Sequence, residues 1–189
     1  SRTPRFMHEE ALDVLPLVLD RAGIAQPLLI GHSDGASIAL IHAASAGRPV
    51  AGLVLMAPHI MVEPICVESI ARISATYGEG PLRERLARYH AHVDDAFHGW
   101  ADTWLMPEFL DWSLEPETRA LSIPTLLIQG RDDEYGTLAQ IDRVAELAQG
   151  PVERLVLDKC GHSPHRDQEA AVLAAIADFA ARHFPGGAT

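Results

Sequence analysis

The most constraining feature of this sequence is a serine flanked by glycines, which stands between a short apolar run and an alanine-rich stretch. The apolar run over residues 27–30 predicts a buried strand, and residues 36–46 have the composition and spacing of a helix. Between them lies the pentapeptide Gly31-His32-Ser33-Asp34-Gly35. A strand, a G-x-S-x-G motif and a helix in this order predict a sharp turn that exposes a nucleophilic serine.

The predicted turn has consequences for each residue of the motif. We expect Gly31 and Gly35 to leave room for closely crossing backbone, and Ser33 to sit in a strained conformation. The start of the following helix should direct its backbone N–H groups and its dipole at the Ser33 hydroxyl. The motif is short enough to occur by chance, so its interpretation depends on the rest of the chain.

Composition restricts the class of protein. The chain has 189 residues, of which 48% are hydrophobic and 22% charged, as expected for one globular domain with a core. The formal net charge of −11 argues against a nucleic-acid or anionic membrane surface. No apolar run approaches the roughly 18 residues of a membrane span. Cys66 and Cys160 lie far apart, which argues against a disulfide framework and favours a cytoplasmic location.

Strand and helix signals alternate outside the middle of the chain. Continuous apolar runs are typical of strands buried on both faces, and apolar residues at helical spacing indicate the covering helices. Pro16 lies inside a helical pattern and should kink it. The alternation predicts a mostly parallel sheet with helices on both faces. The further predicted elements are strands over 50–57, 124–130 and 152–157 and helices over 8–22, 137–149 and 168–184.

Residues 59–121 follow a different pattern, with short helical signals over 67–77, 82–93 and 94–105 and no strand-like run. All three tryptophans, Trp100, Trp104 and Trp112, lie in this segment. Their aromatic rings could simply pack the segment against the core. Alternatively, the segment is a helical cap whose apolar underside forms the substrate pocket. The predicted division is a core over 1–58, a cap over 59–121 and a second part of the core over 122–189.

A serine hydroxyl needs a base to accept its proton and an acid to orient that base. Candidates follow the third and fourth predicted strands, in Gly130-Arg131-Asp132-Asp133 and Gly161-His162-Ser163-Pro164-His165. Functional groups of parallel sheets gather at the carboxyl ends of the strands. Either Asp132 or Asp133 could reach a histidine there. The structural alternatives are Ser33 as a turn residue, Asp133 as a helix cap and His162 as an ordinary loop residue.

With these three motifs, the sequence resembles the α/β-fold hydrolases with a helical cap, over essentially the whole chain. The resemblance implies the α/β-hydrolase fold, with four strands that match the C-terminal half of the family's usual sheet. It implies Ser33 as the nucleophile, His162 as the base and Asp133 as the acid, with Asp132 in a structural role. The backbone N–H of Asp34 would form one half of the oxyanion hole.

The same resemblance predicts a missing part. The first strands of the family and the early His-Gly loop, which supplies the second oxyanion-hole N–H, have no counterpart in this sequence. We therefore expect a longer polypeptide, a partner segment or a homo-oligomer to cover the apolar edge of the strand over 27–30. Because losing one oxyanion donor typically costs about 3 kcal/mol of transition-state stabilisation, we expect the chain alone to be poorly active.

The function expected from these motifs is that of a serine hydrolase. It would cleave an ester, thioester or related activated carbonyl of a small apolar substrate, with His32, Trp100 and Trp104 as substrate-binding residues. The serine argues against the dehalogenase and epoxide-hydrolase relatives, which use aspartate as nucleophile, and Asp34 should disfavour anionic substrates. Hydrolysis of a carbon–carbon bond in a diketone and ligand binding with little turnover are the alternatives. No cofactor or metal is expected, because the histidines over 90–98 lack a standard ligand spacing.

Overall fold

A four-stranded parallel sheet forms the centre of the molecule. The computed structural model describes residues 2–185, so the predicted ends of the core at Ser1 and over 186–189 lie outside the described residues. The strands lie in chain order, β1-β2-β3-β4. They are in parallel register, with Leu28 opposite Gly52 and Thr125 opposite Val152. Their bounds are β1 Leu28–His32, β2 Gly52–Met56, β3 Thr125–Gly130 and β4 Val152–Leu157.

Helices connect consecutive strands and cover the sheet. The helices of the predicted core are α1 Phe6–Glu9, α2 Leu15–Ala22, α3 Asp34–Ser45, α8 Ala139–Leu147, α9 Pro164–Asp167 and α10 Glu169–His183. The helices between β2 and β3 are α4 Pro64–Ala75, α5 Leu82–Ala87, α6 Val93–Trp104, a 3₁₀ turn Pro107–Phe109 and α7 Glu115–Ala120. No helix in the described part of the chain is long and apolar enough to cross a bilayer.

The strands are apolar on both faces, because successive side chains point to opposite sides of the sheet. Leu53 and Leu55 of β2 pack into the larger buried cluster, which contains residues of α3 and α8. Val54 of β2 and Ile128 of β3 pack on the other face with Phe179 of α10. All five side chains are fully buried. The predicted fold class, an α/β protein with a parallel sheet covered on both faces, is confirmed.

The predicted kink at Pro16 takes the form of a change in helix type. A π-helical turn, Glu10–Val14, separates α1 from α2, and Pro16 lies in the first turn of α2. Proline has no N–H to donate, and its ring would clash with the carbonyl four residues earlier in a regular α-helix. The wider π turn relieves that conflict just before the proline. The predicted helix over 8–22 is therefore three short pieces in one continuous run.

The helices of segment 59–121 differ most from prediction. The predicted helix over 82–93 ends at Ala87, because Tyr89 and His90, the next positions on its buried side, are both exposed. Nothing apolar holds a further turn in place. The sequence reading also missed the 3₁₀ turn, α7 and α9. Each of these has a proline in its first turn, which is the signal that could have found it.

The two edges of the sheet have opposite character. On β4, Glu153 pairs with Arg182, and Arg154 pairs with Asp142. Charged residues of this kind are typical of a protected edge. On β1, by contrast, Ile30 is 51% exposed and the strand carries no aspartate, glutamate, lysine or arginine. The predicted partner for this edge, a further segment or a second copy of the chain, stays a prediction.

Candidate active site

Ser33 occupies the turn between β1 and α3 in a backbone conformation that is rare for a residue with a side chain. Its φ is +54° and its ψ is −126°. Such a conformation costs about 1–3 kcal/mol and persists only where the surroundings enforce it. Here the Ser33 N–H donates to the carbonyl of Met56 at 2.9 Å, and its own carbonyl accepts from the N–H of Ala36 at 2.9 Å. The turn is thus tied to the neighbouring strand and to the first turn of α3.

The two glycines of the motif have different roles. A Cβ on Gly31 would lie 2.3 Å from the carbonyl oxygen of Gly35, so only glycine fits where the two backbone segments cross. A Cβ on Gly35 would meet no heavy atom within 4 Å. The expectation that both glycines leave room for crossing backbone is therefore wrong for Gly35. Glycine is required only where the Cβ position faces the crossing backbone. That is so at Gly31, whereas the Cβ position of Gly35 faces open space.

A chain of hydrogen bonds joins the three residues singled out in the sequence. Nε2 of His162 lies 2.9 Å from Oγ of Ser33. On the other side of the ring, Nδ1 lies 2.9 and 3.0 Å from the two carboxylate oxygens of Asp133. A carboxylate can only accept, so the ring proton is assigned to Nδ1. Nε2 is then free to accept the proton of the Ser33 hydroxyl.

Asp133 is held in place from three directions. The carboxylate is buried and accepts hydrogen bonds from Nε2 of Gln129 at 2.7 Å and from the N–H of Tyr135 at 2.8 Å. The N–H of Gly136 donates to the same carboxylate at 3.3 Å. Asp132 is exposed, and its backbone N–H donates to the carbonyl of Cys160 at 2.9 Å. Of the two adjacent carboxylates, Asp133 is the one that contacts His162.

The loops after β3 and β4 cross in close contact, a feature that the sequence reading missed. A Cβ on Gly130 would lie 2.2 Å from the carbonyl oxygen of Cys160. The second loop is also held by carboxylates, since Glu134 accepts from the N–H of His162 at 3.2 Å and Asp167 accepts from the N–H of Gly161 at 2.8 Å. A glycine near the end of the strand, Gly31 in β1 and Gly130 in β3, is the sequence signal for such crossings.

The side chain of His32 makes a hydrogen bond and a ring contact within the protein. Its Nε2–H donates to the carbonyl of His162 at 2.6 Å, and its ring lies 4.8 Å from the ring of His165. Burial lowers the pKa of His32 and outweighs the opposing effect of that hydrogen bond. His32 also lines the pocket above Ser33. The bond to the His162 backbone gives it a part in holding the loop that carries His162.

The pocket above Ser33 has a volume of about 300 Å³. Trp100 and Trp104 both line it, so the structure brings these two predicted substrate-binding residues to Ser33. Trp104 is at the same time a core residue, 1% exposed, with its ring packed against Phe109 and Trp112. Trp104 therefore packs in the core and also contributes to the wall of the pocket. A role for it in substrate binding stays a prediction.

Two ionisable residues of the pocket have strongly shifted pKa values. Burial raises the pKa of Asp34 to about 6, against the opposing effects of the Trp104 side chain and of the Arg2 charge. Burial lowers the pKa of His59 to about 3, and the neighbouring His162 also acts to lower it. His59 is thus neutral at physiological pH, and its Nδ1 is buried with no hydrogen-bond partner among residues 2–185. The sequence reading missed His59, which follows β2 without any recognisable motif.

The remaining polar groups near the pocket are unreactive or dispersed. Burial raises the pKa of the Cys66 thiol to about 12, so this pocket residue is protonated. Within residues 2–185, no group of three or more histidine, cysteine, aspartate or glutamate side chains could hold a metal ion. The N–H of Asp34, the residue after Ser33, donates to no backbone or side-chain acceptor in the same residues. It lies at the start of α3, where the helix dipole favours negative charge.

Comparison with known proteins identifies the family. A model of the Alpha/beta hydrolase family matches residues 1–175, so the chain belongs to this family. Epoxide hydrolase A of Mycobacterium tuberculosis is 33% identical to the chain over 61 residues. The matched segment is 32% of this chain and spans only 19% of the length of that relative.

Solved structures of the same fold cover most of the chain. A serine hydrolase from Cycloclasticus zankles matches with a TM-score of 0.73 and 15% identity, over 97% of this chain and 74% of its own. A meta-cleavage product hydrolase from Pseudomonas fluorescens matches with a TM-score of 0.66 and 19% identity, over 86% of this chain and 67% of its own. A thermophilic esterase from Thermogutta terrifontis matches with a TM-score of 0.64 and 22% identity, over 94% of this chain and 73% of its own. At these identities the likeness shows the fold, in agreement with the family match.

Proposed function

We propose that this protein is a serine hydrolase that cleaves an ester, a thioester or a related activated carbonyl through an acyl-enzyme. The observation that carries the proposal is the continuous hydrogen-bonded chain from Ser33 through His162 to Asp133. An alcohol, an imidazole and a buried carboxylate in this order can activate the alcohol as a nucleophile. Because the nucleophile is the Ser33 hydroxyl, the covalent intermediate is an ester between Ser33 and the acyl group of the substrate.

The proposed reaction has two halves with balanced proton transfer. In the first, Oγ of Ser33 bonds to the carbonyl carbon while its proton passes to Nε2 of His162. The tetrahedral intermediate then collapses, the bond to the leaving group breaks, and His162 returns the proton to the leaving oxygen or sulfur. In the second half, His162 takes a proton from water, the hydroxide bonds to the acyl carbon, and the proton goes back to Ser33 as the acid departs.

The negative charge of the tetrahedral intermediate needs hydrogen-bond donors. The N–H of Asp34 is one candidate, because it adjoins Ser33 at the start of α3 and is otherwise unused within the described residues. Asp133 stabilises the positive charge that develops on His162 and keeps the correct tautomer. His32 is a positioning residue, because its ring nitrogen donates to the backbone of the residue that acts as base.

We further propose that segment 59–121 acts as a helical cap that supplies the walls of the substrate pocket. Trp100, Trp104 and Ile70 of this segment line the pocket with Ser33. A concave, mainly apolar pocket with a few polar groups fits a small apolar substrate. The net charge of −11 supports a small-molecule partner over a nucleic acid or an anionic membrane.

A covalent probe tests the proposal directly. We expect a fluorophosphonate to label the protein at Ser33 and the protein to hydrolyse p-nitrophenyl acetate, with both signals lost in Ser33→Ala. Ser45→Ala is the matched control, because Ser45 lies exposed at the other end of α3, and it should keep both signals. Ligand-dependent thermal shifts without labelling would instead support a binding protein. Labelling with turnover of a diketone and not of esters would support carbon–carbon bond hydrolysis.

A further inference from the structure

A second cavity lies next to the pocket of Ser33, within segment 59–121. Its volume is about 380 Å³, and its walls are mainly apolar side chains of α4, α5 and α6, including Ile73, Leu86 and Phe97. Arg2 and His90 are the polar residues of its lining. Trp100 lines this cavity and also lines the Ser33 pocket. The two spaces therefore adjoin each other at Trp100. We call the second space the outer cavity.

One face of α6 leads from Ser33 to the outer cavity. Phe97, Trp100 and Trp104 are spaced by three and four residues, so their side chains share one side of the helix. Trp104 lines the Ser33 pocket, Trp100 lines both spaces and Phe97 lines the outer cavity. At a rise of 1.5 Å per residue, this apolar track runs for about 10 Å along the helix axis.

The outer cavity has the physical character of a binding site for an apolar chain. Unfilled apolar surface is unfavourable in water, and concave apolar surfaces on folded proteins mark ligand sites. An apolar cavity of about 150 Å³ holds a benzene molecule, so a space of about 380 Å³ has room for a longer chain. Leu82, Leu86 and Ala96 present only hydrocarbon to it.

We propose that the acyl chain of the substrate passes Trp100 and fills the outer cavity, so that the enzyme prefers medium-chain acyl esters, with roughly eight carbons, over acetyl esters. The inference rests on the proposed serine hydrolase function and adds its substrate class. The scissile carbonyl lies at Ser33, the first carbons of the chain contact Trp104, and the remainder lies against Phe97 and Leu86. Trp100 separates the part of the pocket that every ester occupies from the part that only longer chains reach.

A substitution that fills the outer cavity tests the proposal. We expect Ala96→Phe to lower kcat/KM for p-nitrophenyl octanoate by about tenfold, while kcat/KM for p-nitrophenyl acetate stays within about twofold. Ala87→Phe is the matched control, because Ala87 is exposed on α5 and does not line the cavity. It should leave both values unchanged. Equal losses for the two esters, or no loss for either, would overturn the proposal.

Two further measurements keep the test decisive. Leu86→Phe enlarges a side chain on the α5 wall and should reproduce the selective loss if Ala96→Phe does not fold. Binding of 1-octanol, measured by calorimetry, needs no catalysis and should be present in Ser33→Ala and lost in Ala96→Phe. If the unsubstituted chain hydrolyses neither ester but still binds 1-octanol in this pattern, the proposed function fails and the outer cavity stands. If 1-octanol does not bind, the outer cavity proposal fails whatever the activity.

Discussion

The loops at the ends of the strands and the helices of segment 59–121 meet at the same pocket, yet different forces hold them. The loops are fixed by backbone: Gly31 and Gly130 have no room for a Cβ, and the N–H of Asp132 bonds to the facing loop. The helices are fixed by side chains, with Trp104 and Phe109 fully buried in the core. The first region owes its shape to hydrogen bonds and crossing chains, and the second to apolar packing.

This difference predicts how each region responds to change. Hydrogen bonds and backbone crossings are directional, so a small change in the loops displaces the atoms that would react. Apolar packing is less directional, and cores tolerate hydrophobic substitution when volume is kept. We therefore expect variants of the strand-end loops to affect every substrate alike. Variants of residues that face the pocket and the outer cavity should affect some substrates and spare others.

The largest effect in the loops should come from Asp133→Asn. An amide side chain can donate a hydrogen bond to Nδ1 of His162, which moves the ring proton to Nε2 and removes the acceptor for Ser33. Loss of the corresponding carboxylate in such triads lowers kcat by about 10⁴-fold. We expect a loss of about 10³- to 10⁴-fold in kcat, of the same size for acetate and octanoate esters, measured by steady-state hydrolysis.

Asp132→Asn is the control for that experiment. It makes the same chemical change one residue earlier, on an exposed side chain whose backbone alone bonds to the facing loop. Its kcat should stay within about threefold of the unsubstituted chain. Comparable losses in both variants, or a loss in Asp133→Asn that depends on acyl-chain length, would contradict the distinction between the two regions.

A second effect, on stability, separates the two glycines of the Ser33 turn. Gly31→Ala places a Cβ 2.3 Å from a backbone oxygen, which cannot move without opening the turn. We expect the free energy of unfolding to fall by about 3 kcal/mol. Gly35→Ala enters open space in the first turn of α3 and should change it by less than about 1 kcal/mol. Urea unfolding measures both, and equal losses would show that the crossing does not distinguish the glycines.

The same contrast explains which parts of the structure could be predicted from the sequence. All four strands lie within a few residues of the predicted runs, because continuous apolar stretches report burial on both faces. The motifs around Ser33 and His162 pointed to one edge of the sheet, since parallel strands bring their carboxyl ends together. Periodicity does not encode the choice between Asp132 and Asp133. It depends on the side-chain direction set by Gln129 and the N–H of Tyr135.

Segment 59–121 resisted prediction for a physical reason. Its helices are short, and their ends follow from local burial, as at Ala87, after which residues 88–92 are all exposed. His59 lies three residues after the end of β2 and lines the pocket, where its ring packs against that of Trp104 at 5.1 Å. Neither event leaves a pattern in the sequence. The sequence left packing and a pocket as alternatives for the tryptophans, and it did not predict that Trp100 lines two spaces.

The smallest effect should come from Asp34→Asn, which changes the charge of the pocket and leaves Ser33, His162 and Asp133 in place. Because the pKa of Asp34 is about 6, its carboxyl is neutral below that pH and negatively charged above it. A charge in the pocket repels an anionic substrate by about 1–2 kcal/mol at close range. We expect the variant to raise kcat/KM for p-nitrophenyl hemisuccinate relative to p-nitrophenyl butyrate by about tenfold at about pH 8. At about pH 5 the ratio should equal that of the unsubstituted chain.

Two observations make this prediction specific to the pocket. Asp132→Asn removes an exposed charge and should leave the ratio unchanged, since solvent and salt screen a charge there.

The second observation is the pH dependence of folding stability. A carboxyl whose pKa rises from 3.8 to about 6 on folding stabilises the folded state at low pH and loses that contribution as the pH rises through this window. Asp34→Asn should therefore raise Tm relative to the unsubstituted chain above about pH 6 and less below about pH 4. A substrate ratio that shifts equally at both pH values would mean that Asp34 acts through shape and not through charge.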